Sequence, residues 1–239
     1  MVLKDRLDHL RGIVKTEKKV KVTELSQRFD VTEETIRRDL ERLELEGLIT
    51  RTHGGAVLKV ENMFDRLGYT HRSRTNVEEK KKIAQIVASI IPMQATLFAD
   101  ASSTVMEALT LMADRDDITV LTNSIPVLSS LNQSGLNIMS TGGANNRVSC
   151  SLQGIIARTT IMNYHVDFVL TSCKGLKLDE GAYDSREGET EIKQLMISRG
   201  QKTIMMADHT KFDRTSFVKY CSFQQIDILV TDRRPADEW

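Results

Sequence analysis

Residues 31–55 read VTEETIRRDLERLELEGLITRTHGG, and the fold of the first quarter of this 239-residue chain turns on them. Ile36, Leu40 and Leu43 recur at helical spacing, which predicts an amphipathic helix with these three turned inward. Thr32 stands at the N-cap and Thr35 three residues on, a capping-box pattern with Thr in place of the usual Glu. Glu33 and Glu34 suit the positive end of the helix dipole. That leaves Thr35, Arg37, Arg38 and Arg42 on the outer face. Gly47 is predicted to end the helix, and the alternation in LITRTHGGAVL (48–58) predicts a hairpin turning at or near Gly54-Gly55.

Working back, Leu3, Leu7, Leu10 and Ile13-Val14 predict a first helix over 3–16. A charged turn follows, KTEKKVKV, and Thr23 is placed as the cap of a short second helix, ELSQRF, with Leu25 and Phe29 inward. Asp30-Val31 makes the turn into the third helix. Helix, helix-turn-helix, hairpin is the order of a winged helix-turn-helix, which lays its third helix in the DNA major groove and its wing on a phosphate or the minor groove. Arg can bond guanine O6 and N7 together or clamp a phosphate, and Thr can bond phosphate or touch a thymine methyl. The competing reading is a solvated face: Arg37 has Glu33, Glu34 and Glu41 at pairing distance. Residues 1–60 hold 13 basic and 11 acidic residues, a net of only +2.

The run TIRRDLERLELEGLITRTHGGA resembles the signature of the DeoR family of bacterial transcription repressors. It carries the family's Thr-Ile-Arg-Arg-Asp-Leu, then Leu-Glu, then Gly, and then Arg-x-His-Gly-Gly-Ala at intact spacing. The resemblance implies a DNA-binding set of Thr32, Thr35, Arg37, Arg38 and Arg42 on the helix, with Arg51 and His53 on the wing.

Bulk composition narrows the rest. Lys+Arg and Asp+Glu both total 33, so overall charge favours no partner and any nucleic-acid surface must be local. The three cysteines, Cys150, Cys173 and Cys221, are far apart with no Cys-x-x-Cys, which points to neither a disulfide framework nor a zinc site but to a reducing compartment. MVLKDRLDHLRGIV carries Asp5 and Asp8 and reads as no signal peptide. No window approaches the ~20 apolar residues of a membrane span. A soluble, cytoplasmic protein is expected.

Past a polar connector, VEEKKKIAQIVASII (77–91) predicts an amphipathic helix with Ile83, Ile86-Val87 and Ile90 inward. Six short apolar runs follow: TLFAD (96–100), ITVLTN (118–123), NIMSTGG (137–143), DFVLTSCKG (167–175), KTIMMAD (202–208) and DILVTD (227–232). Helical patterns such as STVMEALTLMA and ETEIKQLMISR lie between most of them. Alternation of this kind predicts a doubly wound, mostly parallel α/β sheet, in which ligands sit outside the carboxyl ends of the strands.

Those ends are polar here. Asp100 closes a strand, and Ser102-Ser103-Thr104 lead into a helix, where hydroxyls and free N–H groups suit a phosphate. Gly142-Gly143 permits close backbone approach. Lys174 and Lys211 could balance anionic charge, and Asp100, Asn123 and Asp208 could bond sugar hydroxyls. Each feature has a plainer reading: Ser-Ser-Thr as an N-cap, Gly-Gly as a turn, Asp as a loop cap.

The family resemblance continues through this half in the EEKKKIAQIVASII helix and in DASSTVMEAL, VLTNS, TGG, GAYD and ADHTKF. It implies a domain related in fold to ribose-5-phosphate isomerase and glucosamine-6-phosphate isomerase that senses a phosphorylated sugar. By position the phosphate loop falls on Ser102, Ser103 and Thr104. Sugar contacts fall on Asp100, Asn123, Gly142, Gly143, Asp208 and Lys211, with Lys174 and Asp184. Two positions depart from the family: Ser102 replaces a glycine of the phosphate loop, and Asn146 stands where many members have Arg, with Arg147 one later.

The resulting expectation is a winged helix-turn-helix over 1–58, a linker over 59–76 and a sugar-phosphate-sensing α/β domain over 77–239. Such a chain is a transcriptional repressor of a sugar-utilisation operon, with double-stranded operator DNA and a phosphosugar as partners, no cofactor or metal, and a homo-oligomeric state, dimer or tetramer. The alternative is a sugar-phosphate isomerase fused to a DNA-binding module. Its general base would come from Asp184, Glu187, Glu189, Glu191 or Asp208, none singled out by spacing.

Overall fold

The computed structural model describes residues 3–45, 48–58 and 68–239, which fall into two compact units, Met1–Leu67 and Gly68–Trp239. The expected helix stop at Gly47 lies outside the described residues.

The first unit contains α1 (Leu3–Glu17), β1 (Lys19–Lys21), α2 (Val22–Phe29), α3 (Glu33–Leu45), β2 (Ile49–Thr52) and β3 (Gly55–Leu58). The hairpin β2–β3 turns at His53-Gly54, and the segment read as a charged turn supplies a third strand, giving the antiparallel order β1-β3-β2. Both glycines of His-Gly-Gly have a steric reason. Gly54 adopts φ 83°, and a Cβ on Gly55 would lie 2.1 Å from the Val20 carbonyl of β1. Ile36, Leu40 and Leu43 of α3 pack with Leu10, Val14, Leu25 and Ile49 into one apolar core. Thr23 is not the cap of α2. The helix starts at Val22 with Lys21 at the N-cap and no side-chain cap bond, because Val22 is itself drawn into the core.

The second unit opens with α4 (Tyr69–Arg74), within the segment read as connector, and α5 (Val77–Ile90). Then come β4 (Thr96–Ala99), α6 (Ser103–Leu111), β5 (Thr119–Thr122), α7 (Ile125–Ser130), β6 (Asn137–Ser140), β7 (Ala144–Asn146), β8 (Ser151–Gln153) and α8 (Ile155–Met162). The chain continues through β9 (Val166–Ser172), β10 (Gly175–Lys177), β11 (Gly181–Asp184), α9 (Glu187–Ser198), β12 (Gly200–Met206), β13 (Val218–Cys221) and β14 (Ile228–Val230).

The six apolar runs become one parallel sheet in the order β14-β12-β9-β4-β5-β6. Side chains alternate between its faces as the pleat requires: Leu97, Ala99 and Leu170 meet α5 and α6, while Phe98, Val169 and Met205 meet α8 and α9. On α5 the inward set differs from the expected one. Lys80, Ile83, Ala84 and Val87 are buried, but Ile86 is 44% and Ile90 38% exposed. Each sits about 100° round the helix from a buried neighbour. Two small antiparallel sheets, β7-β8 and β10-β11-β13, were not apparent from the sequence. Their three- and four-residue strands are too short to show a period.

Candidate nucleic-acid interface and anion site

On α3 the Thr35 N–H donates to Thr32 Oγ1 at 3.3 Å and the two hydroxyls lie 2.9 Å apart, so the cap closes as the sequence suggests. Arg37, Arg38 and Arg42 are exposed, and Thr35 is half-buried. Arg37 pairs with Glu33 at 2.6 Å and Arg38 with Glu34 at 3.4 Å. Exposed pairs of this type contribute only ~0.3–0.5 kcal/mol, so both guanidiniums are available to a phosphate or a base at little cost. Asp39 of the same helix is different: it is buried and held by Arg6 of α1 at 2.6 Å. On the wing, Arg51 and His53 are exposed, and the Arg51 N–H donates to Glu44 Oε1 at 2.9 Å. Sequence reasoning missed these two ties, Arg6–Asp39 and Glu44–Arg51, because each joins two different elements and so falls outside any one element's period.

In the parallel sheet, β5 and β6 extend to one side of β4 while β9, β12 and β14 extend to the other. The direction of winding therefore reverses between β4 and β9, which is where an open α/β sheet leaves a crevice. Asp100 follows β4 at that point. Its carboxylate accepts from the Ser102 N–H (2.9 Å), the Thr171 hydroxyl (2.8 Å) and the Ser172 N–H (3.0 Å). Ser102 caps α6, accepting from the Val105 N–H at 3.2 Å. Ser103 and Thr104 are buried in the first turn of α6, and their hydroxyls have no hydrogen-bond partner among the described residues.

Lys193 of α9 joins two of the expected site residues. It is 4% exposed and lies 3.2 Å from Asp100 and 2.6 Å from Asp184, with its ammonium also donating to the Ser172 carbonyl. Burial opposes its charge, but the two carboxylates outweigh burial and raise its pKa. Burial likewise pushes the Asp184 carboxyl up, while Lys193, the Ser185 N–H and Lys174 bring it below the ordinary value. Sequence reasoning passed over Lys193. Its signal is the phase it shares with Ile192, Met196 and Ile197, buried on the same helix. Glu189, also buried there, accepts from Ser151 and Gln153.

Asn123, just past β5, is 1% exposed. Its Nδ2 donates to the Leu152 carbonyl at 3.2 Å, and its Oδ1 is buried with no partner among the described residues. Gly142 and Gly143 follow β6 with φ 65° and 112°. A Cβ on Gly143 would meet the Gln153 carbonyl at 2.5 Å, so chain packing already demands that glycine. Asn146 Oδ1 accepts from the N–H groups of Val148 and Ser149, shaping a turn that leaves Arg147 exposed. After β12, Asp208 caps the turn His209–Lys211 and pairs with Lys211 at 3.4 Å. Burial raises the Asp208 carboxyl, but Lys211 and Thr210 bring it below the ordinary value.

Asp100 and Asp184 are thus gathered on Lys193, and Asp208 with Lys211. Among the expected site residues, Asn123 Oδ1 and the hydroxyls of Ser103 and Thr104 have no hydrogen-bond partner among the described residues. Among the described residues no cluster of His, Cys, Asp and Glu could hold a metal ion, and no helix is long and apolar enough to cross a membrane.

Residues 6–62 match the model of the DeoR-like helix-turn-helix domain, and residues 75–233 that of the DeoR C terminal sensor domain. The chain is 37% identical to the HTH-type transcriptional regulator YulB of Bacillus subtilis, over 97% of this chain and 90% of that protein. It is 33% identical to the HTH-type transcriptional repressor GlcR of the same organism, over 98% and 90%. With the L-fucose operon activator of Haemophilus influenzae it shares 32% identity over 92% and 88%. In three dimensions it is similar to ribose 5-phosphate isomerase A of Methanocaldococcus jannaschii, with a TM-score of 0.44 and 10% identity over 58% of this chain and 55% of that one.

Proposed function

Because the chain belongs to the DeoR family of helix-turn-helix transcription regulators, we propose that it represses a sugar-utilisation operon and is gated by a phosphorylated sugar at the strand ends of its sensor domain. It is a regulator and not an enzyme, as its family is, and the isomerase alternative is not favoured. The observation that carries the effector reading is the buried, unpartnered Oδ1 of Asn123. An orphaned acceptor costs ~1–3 kcal/mol, and a ligand hydroxyl is the donor it lacks.

The phosphate is assigned to the first turn of α6, where Ser103 and Thr104 carry open hydroxyls beside the cap at Ser102. Lys174 and Lys211 balance its charge. Gly142 and Gly143 let the sugar approach the backbone. Asp100, Asp184 and Asp208 border the cradle, the first two fixed in place by Lys193. On the other unit, Thr32, Thr35, Arg37, Arg38 and Arg42 face the operator, with Arg51 and His53 of the wing. Two or four subunits in the cytoplasm present paired winged helices to spaced half-sites. The near-neutral DNA-binding unit makes such pairing necessary for tight binding at cellular salt. Effector occupancy changes operator affinity through a coupling of ~1–3 kcal/mol.

A thermal-shift screen of sugar phosphates tests the site. One compound raises the melting temperature of the native protein by mass action, and Ser103→Glu, which puts a carboxylate where the phosphate sits, abolishes that rise while operator gel shifts stay as before. A Ser103→Glu protein that still responds would place the phosphate elsewhere.

A further inference from the structure

We propose that Asn76, with Lys80 one turn later, couples effector occupancy to α4, the element at which the chain enters the sensor domain from residues 59–67. The proposal rests on the effector reading above and concerns how that site is relayed.

Asn76 occupies the N-cap of α5 in the left-handed region, φ 51° and ψ 45°, yet its side chain makes no cap bond to its own helix. Asn at an N-cap ordinarily accepts from the first turn. Here its Nδ2 instead donates to Asp208 Oδ1 at 3.2 Å and to Thr210 Oγ1 at 3.3 Å, across more than 130 residues of chain. The local preference has been given up for a tertiary bond to the turn that carries Lys211. Because Asp208 also pairs with Lys211, an anion that draws the Lys211 ammonium toward itself disturbs the carboxylate on which Asn76 depends.

Lys80 extends the relay. It is buried on α5, and its ammonium donates to the carbonyls of Arg72 and Thr75 at the end of α4. The groups that act on its charge are Lys211 and Arg72, which oppose it, and Asp208 and Glu107, which support it; burial is the largest influence, and its pKa is pushed down to about 8. A buried ammonium must keep its acceptors, so a shift of α5, whose N-cap Asn76 is bonded to the 208–211 turn, is felt at Arg72 and Thr75.

The helix being held is poorly able to hold itself. α4 has six residues, no side-chain N-cap bond and no buried residue, whereas isolated helices under ~12 residues are marginal. Its tethers are polar. Besides Lys80, the Tyr69 N–H donates to the Val148 carbonyl at 3.0 Å and Arg72 to the Ser149 carbonyl at 3.4 Å. Val148 and Ser149 belong to the turn between β7 and β8, and the Ser149 hydroxyl leads through Ser151 to Glu189. The β7–β8 turn therefore holds this short helix, which also lies against α6, while the 208–211 turn holds Asn76 two residues past its end.

The test uses the full chain with glucose 6-phosphate, fructose 6-phosphate, fructose 1-phosphate, ribose 5-phosphate and inorganic phosphate as probes. Asn76→Gly keeps the left-handed backbone accessible and removes only the side-chain bonds. In the native protein the compound that raises the melting temperature slows hydrogen exchange across 69–76 and changes operator affinity roughly 5–150-fold. In Asn76→Gly the thermal shift remains and the operator response falls to within about twofold of unity. A full operator response in the variant overturns the relay. So does loss of its thermal shift, which would make Asn76 part of the binding site itself. Exchange across 69–76 that stays unchanged in the ligand-bound native protein overturns it without recourse to a variant. A native protein that no probe stabilises removes the effector site, and the relay with it.

Discussion

In the DNA-binding unit the outward arginines of α3 are paired along their own helix, Arg37 with Glu33 and Arg38 with Glu34, at exposed positions. In the sensor unit Lys193 is buried between Asp100 and Asp184. The chemistry is the same and the energetics are opposite. Water screens the first set, so the pairs part at little cost and the cations are free for DNA. The second set has lost its water, and each charge depends on the others. On the proposed function, side chains that meet a polyanion are thus kept loosely engaged, while those that shape a small-molecule cradle are locked. Arg6–Asp39, partly buried, belongs with the locked kind but serves to seat α3 on α1.

The largest effect that would break this contrast comes from Lys193→Met. It strands two buried carboxylates, and removing one member of a buried charge set costs ~3–5 kcal/mol. Urea denaturation followed by a sensor-domain probe is expected to show that loss, and a loss below ~1 kcal/mol would mean the cluster is wet and the contrast false.

Acid sharpens it next. Burial pushes the Asp184 and Asp208 carboxyls up but is outweighed by Lys193 and Lys211, and hydrogen bonds from the Thr96 side chain and N–H hold Asp167 low as well. All three therefore titrate below the ordinary value of 3.8. The unfolded chain binds protons first as pH falls, so the stability these groups contribute is complete above that value and is lost as pH drops through the lower folded values. Melting of the sensor unit followed below pH 4 should show that fall, and a flat profile would argue that these carboxylates are not held in the folded state.

The smallest effect on folding belongs to Arg38→Ala. Operator binding weakens by ~1–3 kcal/mol if this arginine reads a base, while stability moves by no more than ~0.5 kcal/mol, as for an exposed surface site. A gel shift and a melting curve on the same preparation measure both, and an unchanged gel shift would remove Arg38 from the readout.

The periodic features of the sequence reappear in the structure wherever one element's pattern was enough to specify them. The inward stripe of α3, its Thr32 cap, the hairpin at His53-Gly54 and all six strands of the parallel sheet are of this kind. Misreadings arose where a neighbour decided. Ile86 and Ile90 are as apolar as Ile83, but the buried stripe of α5 runs through Lys80 and Ala84. Thr23 is a good capping residue, yet Val22 is needed in the core and the helix begins before it. The strand ends were legible as polar, but not which of their groups would be occupied: Asp100 is engaged by Ser102, Thr171, Ser172 and Lys193, and Asn123 Oδ1 is left over.

What the amino-acid order determined alone was the set of longer periodic elements, such as α1, α3, α5 and the six strands of the parallel sheet, since hydrophobic period and capping are properties of residues a few positions apart. It also determined the chemistry offered at each strand end. What only the tertiary structure decided was the partnering of charges across long stretches of chain, Lys193 with Asp100 and Asp184, and Asn76 with Asp208. Those choices depend on which strand lies beside which. The desolvation that gives a buried charge its energy exists only once the sheet and its helices have closed around it.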